Sequence, residues 1–509
     1  MRGLTTIRAP GNTYSAVDAL ITLAADVRAI LGAGTKISYS ADWTEYFGHQ
    51  PADGTSDVYF HLDKFWANAN CDFVGIDNYV PLSDWRDGFN HADALIAPSI
   101  YDLAYLKSNI AGGEGFDWFY ANSTDRTNQT RTAITDGFGS PWVFRIKDFK
   151  SWWLNSHNHR PGGVPGAASP WVPQSKPIRF TELGCPAIDR GTNQPNGFYD
   201  PKSSESFVPY FSRGYRDDAI QRAYIEASLT FWNDPTNNPT SGLYGGAMVT
   251  VNECAVWTWD ARPYPFFPEL TDIWADSANW TLGHWLTGRL GAVSLAALVR
   301  TLCLRAGFPA NRIDVSGLHG AVEGYVIAAL ESPRNSIAVL ARHFGFDAVE
   351  ADGNIRFVAR GRAAVVSLTP DQLVAGTDAR AEPFEMTGSQ TTDLPQALKW
   401  AVVRSDEDYD SVGVEARRIT VDSARTASES FPLAVPPEEA ERRCRRALLE
   451  AWVGIEAFAA TLPPSLLRLD PTDVISLIHD GRTYEFRLGQ IADEVARRVE
   501  GVRQDRFCL

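Results

Sequence analysis

The sequence predicts an α/β protein: half of a (β/α)8 barrel, followed by a separate α+β domain. Three observations predict it. In the first part of the chain, short apolar runs alternate with helical patterns, which indicates βαβ units and a parallel sheet. Four of these runs end in an acidic residue, where the loops of a (β/α)8 enzyme begin and its working residues sit. Of the 16 tryptophans, 14 precede Leu290 and only Trp400 and Trp452 follow it. That compositional break separates a domain at 1–290 from one at 291–509.

Taken in order, Tyr14–Leu31 is the first helix, because Val17, Leu20, Ile21, Ala24, Val27 and Leu31 recur at three- and four-residue steps. Gly32 and Gly34 end it. Lys36–Trp43 is the first strand and closes on Asp42 and Trp43. Asp72–Tyr79 is the second and closes on Asp77, Asn78 and Tyr79. Pro177–Gly184 is the third and closes on Glu182 before Gly184, Cys185 and Pro186. Ala255–Asp260 is the fourth, with Trp257 and Trp259 alternating onto one side. Further helices are expected at Val58–Asn68, Ser99–Ile110, Arg216–Asn233 and Trp280–Leu290. The long interval between the second and third strands calls for a helix and an elaborated loop, the sort of segment that carries function.

Four βα units make half a barrel, which leaves a sheet edge uncovered. The second part reads differently. Val293–Ala306, Asn335–Phe344 and Pro436–Ala451 are helical. Gly345–Glu350 with Asn354–Ala359, and Asp473–His479 with Arg482–Leu488, flank Asp352-Gly353 and Asp480-Gly481, strong hairpin signals. Strands joined by tight turns beside helices predict a docking module, without a recognisable nucleophile and base.

Composition excludes several classes. A formal charge of −15 opposes the basic footprint of a nucleic-acid binder. No stretch supplies the roughly 18 apolar residues of a membrane helix; Val293–Ala306 is interrupted by Arg300 and Arg305. The opening residues have no apolar h-region, so no signal peptide is read. The six cysteines are scattered singly and have no zinc spacing, so buried thiols are expected and no metal. No Walker loop, GxGxxG or GxSxG sits in a meaningful position, so no cofactor is expected.

Glu182 is the leading chemical candidate, as a nucleophile or general base at a strand mouth; its bland alternative is a carboxylate paired with Arg179 or capping a loop. Asp77, Asn78 and Tyr79 follow the same logic, since amides and phenols hydrogen-bond sugar hydroxyls, although Asp-Asn is also ordinary turn chemistry. Asp42 and Trp43 form a weaker version. Trp257 and Trp259 stack on sugar rings if they face the lumen, and are core if they face a helix. His157-Asn158-His159 reads as a polar loop.

These residues carry a resemblance. The segments ADWTEYFGHQPADG (41–54), FVGIDNYVPLSDWRDG (73–88), QSKPIRFTELGCPAIDRGTNQPN (174–196) and NWTLGHWLTGRLG (279–291) resemble the glycoside-hydrolase TIM-barrel-like domain of gene transfer agent and phage tail-tip proteins, the large host-specificity or baseplate hub proteins. Residues 291–509 resemble the phage tail hub domain that follows it, through Leu318–Val326, the Phe344–Arg360 hairpin and the closing DVISLIHDGRTYEFRLGQI.

The resemblance implies that a Gly-Ser-Glu strand end, whose Glu holds the acid/base position, lies before the equivalent of Met1, so that the half-barrel is the C-terminal half of a (β/α)8 TIM-like barrel. It also implies that relatives extend past Leu509, so the chain is an internal piece of a longer protein and is inactive alone. It implies a virion tail component, synthesised in the cytoplasm, whose partners are other tail and baseplate proteins in a homo-oligomeric ring, together with a host-surface glycan, with no nucleic acid and no membrane insertion. Three functions compete: a hub that binds glycan through a glycosidase-like barrel, a retaining glycoside hydrolase of peptidoglycan or surface polysaccharide, and a decayed remnant that does not fold. The first is favoured.

Overall fold

A computed structural model describes residues 3–200, 202–203, 206–264, 266–286, 293–375, 382–404, 409–493 and 496–506. The chain divides into two compact units, Met1–Gly288 and Arg289–Leu509. The boundary expected near 290, the end of the expected Trp280–Leu290 helix and Cys508 lie outside the described residues.

In the first unit, helix α1 (Ser15–Leu31) buries Val17 and Ala24, and the Gly32 N–H closes it on Arg28 O with φ +71°, a left-handed value that glycine adopts without penalty. Strands β1 (Ser40–Asp42), β2 (Val74–Asn78) and β3 (Ile178–Leu183) form one sheet in the order β1-β2-β3, with both pairings parallel. β1 is shorter than the predicted Lys36–Trp43 strand and is an edge. Among the described residues the parallel strands do not close into a barrel.

The predicted fourth strand is not formed. Within Ala255–Asp260 an isolated parallel bridge from Val256 to Leu183 remains, and a single helical turn at Val251–Glu253 separates it from the bridge of Val249 to Ile178. The segment still follows β3, since Ala255 N–H donates to Phe180 O and Trp257 N–H to Leu183 O.

Two other expectations shorten for local reasons. Val58 and Tyr59 bridge to Arg160 and His49, so helix appears only at Asp63–Trp66. Asp102 caps the next helix, α2 (Leu103–Ser108), by accepting from Tyr105 N–H, so helix starts there rather than at Ser99. α3 (Asp218–Asn233) is capped by Asp217, close to its predicted span. The helix at Ser277–Thr281 lies earlier than predicted, because Gly283 at φ +75° packs against Ala187.

The helices cover one face of the sheet. Phe180 on β3 meets Phe149 at 5.4 Å and Trp232 of α3 at 5.9 Å between ring centroids. Trp66, Trp152 and Trp153 are fully buried nearby. Each such side chain contributes on the order of 1.5–3 kcal/mol by leaving water. The tryptophan density of this half thus builds much of its core.

The second unit carries helices at Leu295–Arg305, Pro333–Phe344 and Pro437–Val453 with sheets of three, four and six strands. Both predicted hairpins are present: Phe346–Ala351 pairs with Asn354–Ala359, and Val474–His479 with Arg482–Asp493, antiparallel in each case. Asp352 and Gly353 have φ of 54° and 72°, and Asp480 and Gly481 49° and 72°. Positive φ at both central residues matches the twist of the strands. Among the described residues no helix is long and apolar enough to cross a membrane.

Candidate functional site

The three strands bring three carboxylates level. β1 ends on Asp42, which registers with Asp77 of β2, and Asp77 registers with Glu182 of β3. Neighbouring strands lie about 4.8 Å apart, so the acids form a ledge at the C-terminal edge of the sheet, where (β/α)8 enzymes place their chemistry.

A bulge sets the ledge. Ile76 pairs with Phe180 but Asp77 with Glu182, so Thr181 is the extra residue. Burial shows the change of phase: Ile178 and Phe180 are buried, then Leu183, while Thr181 and Glu182 are both half-buried. Bulges re-aim side chains in this way and occur beside active sites. Thr181 Oγ1 donates to Asp77 Oδ1 at 2.8 Å.

Tyr79, buried just past β2, donates its hydroxyl to Glu182 Oε2 at 2.6 Å. Arg179 forms an ion pair with Glu253, so it is not the partner of Glu182. Thr44 N–H donates to Asp42 Oδ1 at 2.8 Å, and buried Glu45 accepts from Tyr39 Oη at 3.1 Å and from Asp42 N–H at 3.3 Å.

Burial pushes the Asp77 carboxyl up to about 6; the Thr181 hydroxyl opposes this, and the charges of Glu182 and Asp42 add to it. Burial, and then its bond to the Glu182 carboxylate, hold the Tyr79 phenol far above its ordinary value. Tyr79 is therefore a donor at every working pH. Asp77 therefore changes from donor to acceptor as pH rises through about 6, beside a Glu182 carboxyl held by the Tyr79 hydroxyl.

The other predicted residues fall in different places. Asn78 is buried, with Oδ1 accepting from Val80 N–H at 3.4 Å. Trp43 is half-buried against the core. Trp257 is 36% and Trp259 63% exposed, so neither ring is wedged beneath a helix, although no strand aligns them. Asp260 is held by Arg262, which also binds Asp276.

His157 corrects an expectation. It does lie in a loop, but is fully buried there, stacked on Phe60 and Trp171, with Nδ1 2.8 Å from Asp63 Oδ2 and Nε2 2.8 Å from Trp152 O. Two bonded nitrogens and two stacked rings make it a core strut. The Thr181 bulge escaped the sequence reading, because register lies in the pairing of strands and not in either strand alone. Among the described residues no group of three His, Cys, Asp or Glu side chains could hold a metal ion. Cys71, Cys185, Cys254, Cys303 and Cys444 are free, and all but Cys254 are buried.

Comparison with known proteins gives two family matches. Residues 1–268 match the GTA TIM-barrel-like domain, and residues 332–491 match the family described as "Putative phage tail protein". None of the curated proteins matches the chain. Among solved structures, a chain of the virion of a native gene transfer agent (GTA) particle is 29% identical with a TM-score of 0.44; the match covers 46% of this chain and 53% of that one. The tail protein from Neisseria meningitidis is 12% identical, with a TM-score of 0.33 and coverage of 42% and 68%. The 43 kDa tail protein of prophage MuSo2 from Shewanella oneidensis is 15% identical, with a TM-score of 0.29 and coverage of 43% and 65%. The chain thus spans about half the length of the GTA particle chain it matches.

Proposed function

The chain belongs to the GTA TIM-barrel-like domain family, whose match takes in residues 1–268 of 509, and from that premise we propose that it is a structural tail component of a gene transfer agent or phage-like particle. Its first unit engages a glycan of the host cell envelope at the Asp42–Asp77–Glu182 ledge. Its second unit joins other tail and baseplate proteins, and further copies of itself in a ring. The family membership and the phage-tail match over 332–491 support the particle role.

The observation that carries the glycan role is the Tyr79–Glu182 bond at the C-terminal edge of parallel strands. It fixes a carboxylate with one oxygen committed and leaves the other for a sugar hydroxyl, beside exposed Trp257 and Trp259. Aromatic faces and a few oriented polar groups are what a sugar ring requires. The open parallel sheet is read as part of a (β/α)8 barrel of which the first unit supplies these strands.

A second reading is a retaining glycoside hydrolase with Glu182 as nucleophile. That chemistry needs a second carboxyl about 5–5.5 Å away, and Asp77 is its neighbour in register. Incubation with purified envelope polysaccharide separates the two. Retained long chains on the protein mark a binder; shortened products that vanish with Glu182→Gln mark an enzyme. A polysaccharide that is neither retained nor shortened overturns the glycan role.

A further inference from the structure

The segment that ends the first unit returns to the same edge of the sheet. Ala187 N–H donates to Gly283 O at 2.9 Å and Leu286 N–H to Thr258 O at 2.8 Å. Residues 283–286 are thereby tied both to the loop after β3 and to the end of the bridged segment beside it. Gly283 lies so close that a Cβ would stand 2.4 Å from the Ala187 carbonyl carbon. Only glycine permits that approach.

His284 is consequently held in place. Its Nδ1 lies 3.1 Å from Tyr199 O. A carbonyl can only accept, so Nδ1 carries the hydrogen, and in the neutral ring Nε2 keeps its lone pair. The ring packs on Trp285 at 4.6 Å and Phe198 at 5.6 Å. Trp285 is braced by Phe267 and Arg262. Phe198 meets Tyr79 edge-on at 5.6 Å, and Tyr79 holds Glu182. His284, Phe198 and Tyr79 thus form a continuous aromatic path from the imidazole to the carboxylate. His284 is half-buried, and its Nε2 has no protein partner among the described residues.

We propose that His284 is a ligand-contacting residue of the Glu182 site, its Nε2 accepting a hydrogen bond from a sugar hydroxyl. The assignment rests on the glycan reading above and names the part of the ligand involved. Glu182 and His284 are two acceptors with the half-buried Phe198 ring between them, packed on buried Tyr79. A hexopyranose chain fits that pattern, because each ring offers hydroxyl donors at its rim and C–H groups on its face.

The test uses the 509-residue protein, purified envelope polysaccharide and titration calorimetry. His284→Phe keeps the ring and removes the acceptor, and is expected to weaken binding about 3–10-fold, the scale of one lost hydrogen bond. His284→Gln, which restores an acceptor, is expected to recover most of the loss. In the wild-type protein with 15N-labelled histidine, saturating polysaccharide should move the Nε2 resonance of His284 and leave Nδ1 nearly still; this readout does not depend on any variant folding. Unchanged affinity in His284→Phe, or an unmoved Nε2 resonance in a saturated sample, overturns the assignment and leaves the glycan reading intact. A wild-type protein that binds no polysaccharide overturns both.

Discussion

The Tyr79 hydroxyl donates to Glu182 Oε2 at 2.6 Å across 103 residues of chain. The donor sits just past one parallel strand and the acceptor near the end of the next, so the bond exists only when β2 and β3 are in register. It therefore reports both the fold and the site.

Removing the donor should loosen the acid without unfolding the sheet. Hydrogen bonds to charged groups are worth about 1.5–3 kcal/mol, so Tyr79→Phe is expected to weaken polysaccharide binding about 10-fold or more. Calorimetric affinities of the two proteins check this. Equal affinities contradict it.

Asp77 gives the molecule a pH signature. Its folded-state value of about 6 lies above the roughly 3.9 of an unfolded aspartate. Its contribution is fully present below about pH 4 and is lost as pH rises through about 6. Asp77→Asn removes that loss. The variant should melt higher than the wild type at pH 8, with the gain shrinking toward pH 4. Melting curves across that range measure it, and parallel profiles contradict it.

Gly184 controls the bridged segment. A Cβ there would lie 2.4 Å from Trp257 O, a backbone atom that cannot step aside. Gly184→Ala is expected to cost about 1–3 kcal/mol and to shift tryptophan fluorescence as Trp257 and Trp259 move. Denaturant unfolding followed by fluorescence tests both, and an unchanged midpoint and spectrum contradict them.

In the second unit, Gly481 has φ +72°, and a Cβ added there would meet nothing within 4 Å. Gly481→Val is therefore a purely conformational lesion, expected to cost about 1–2 kcal/mol. It should lower the stability of that unit and leave polysaccharide affinity unchanged. Unfolding and binding measured on the same sample separate the two effects.

What the sequence made legible was local. The Asp352-Gly353 and Asp480-Gly481 turns were readable because two positive-φ residues leave a compositional mark, and α1 because its apolar spacing repeats. β2 and β3 were readable as apolar runs ending in acids. The pairing of Asp77 with Glu182 around the Thr181 bulge was not, since register is a property of two strands. The predicted fourth strand fell short because its pairing with β3 is reduced to single bridges at Val249 and Val256, and pairing is not written in the composition of one run. His157 was misread because its neighbours in sequence are polar, whereas its neighbours in space are Phe60, Trp152 and Trp171.

The most direct measurement compares the wild-type protein with Glu182→Gln by titration calorimetry against purified envelope polysaccharide, with melting temperatures taken alongside. The account predicts measurable wild-type binding, a loss of about 10-fold or more in the variant, and closely similar melting. Equal binding by both proteins, or none by the wild type, contradicts it.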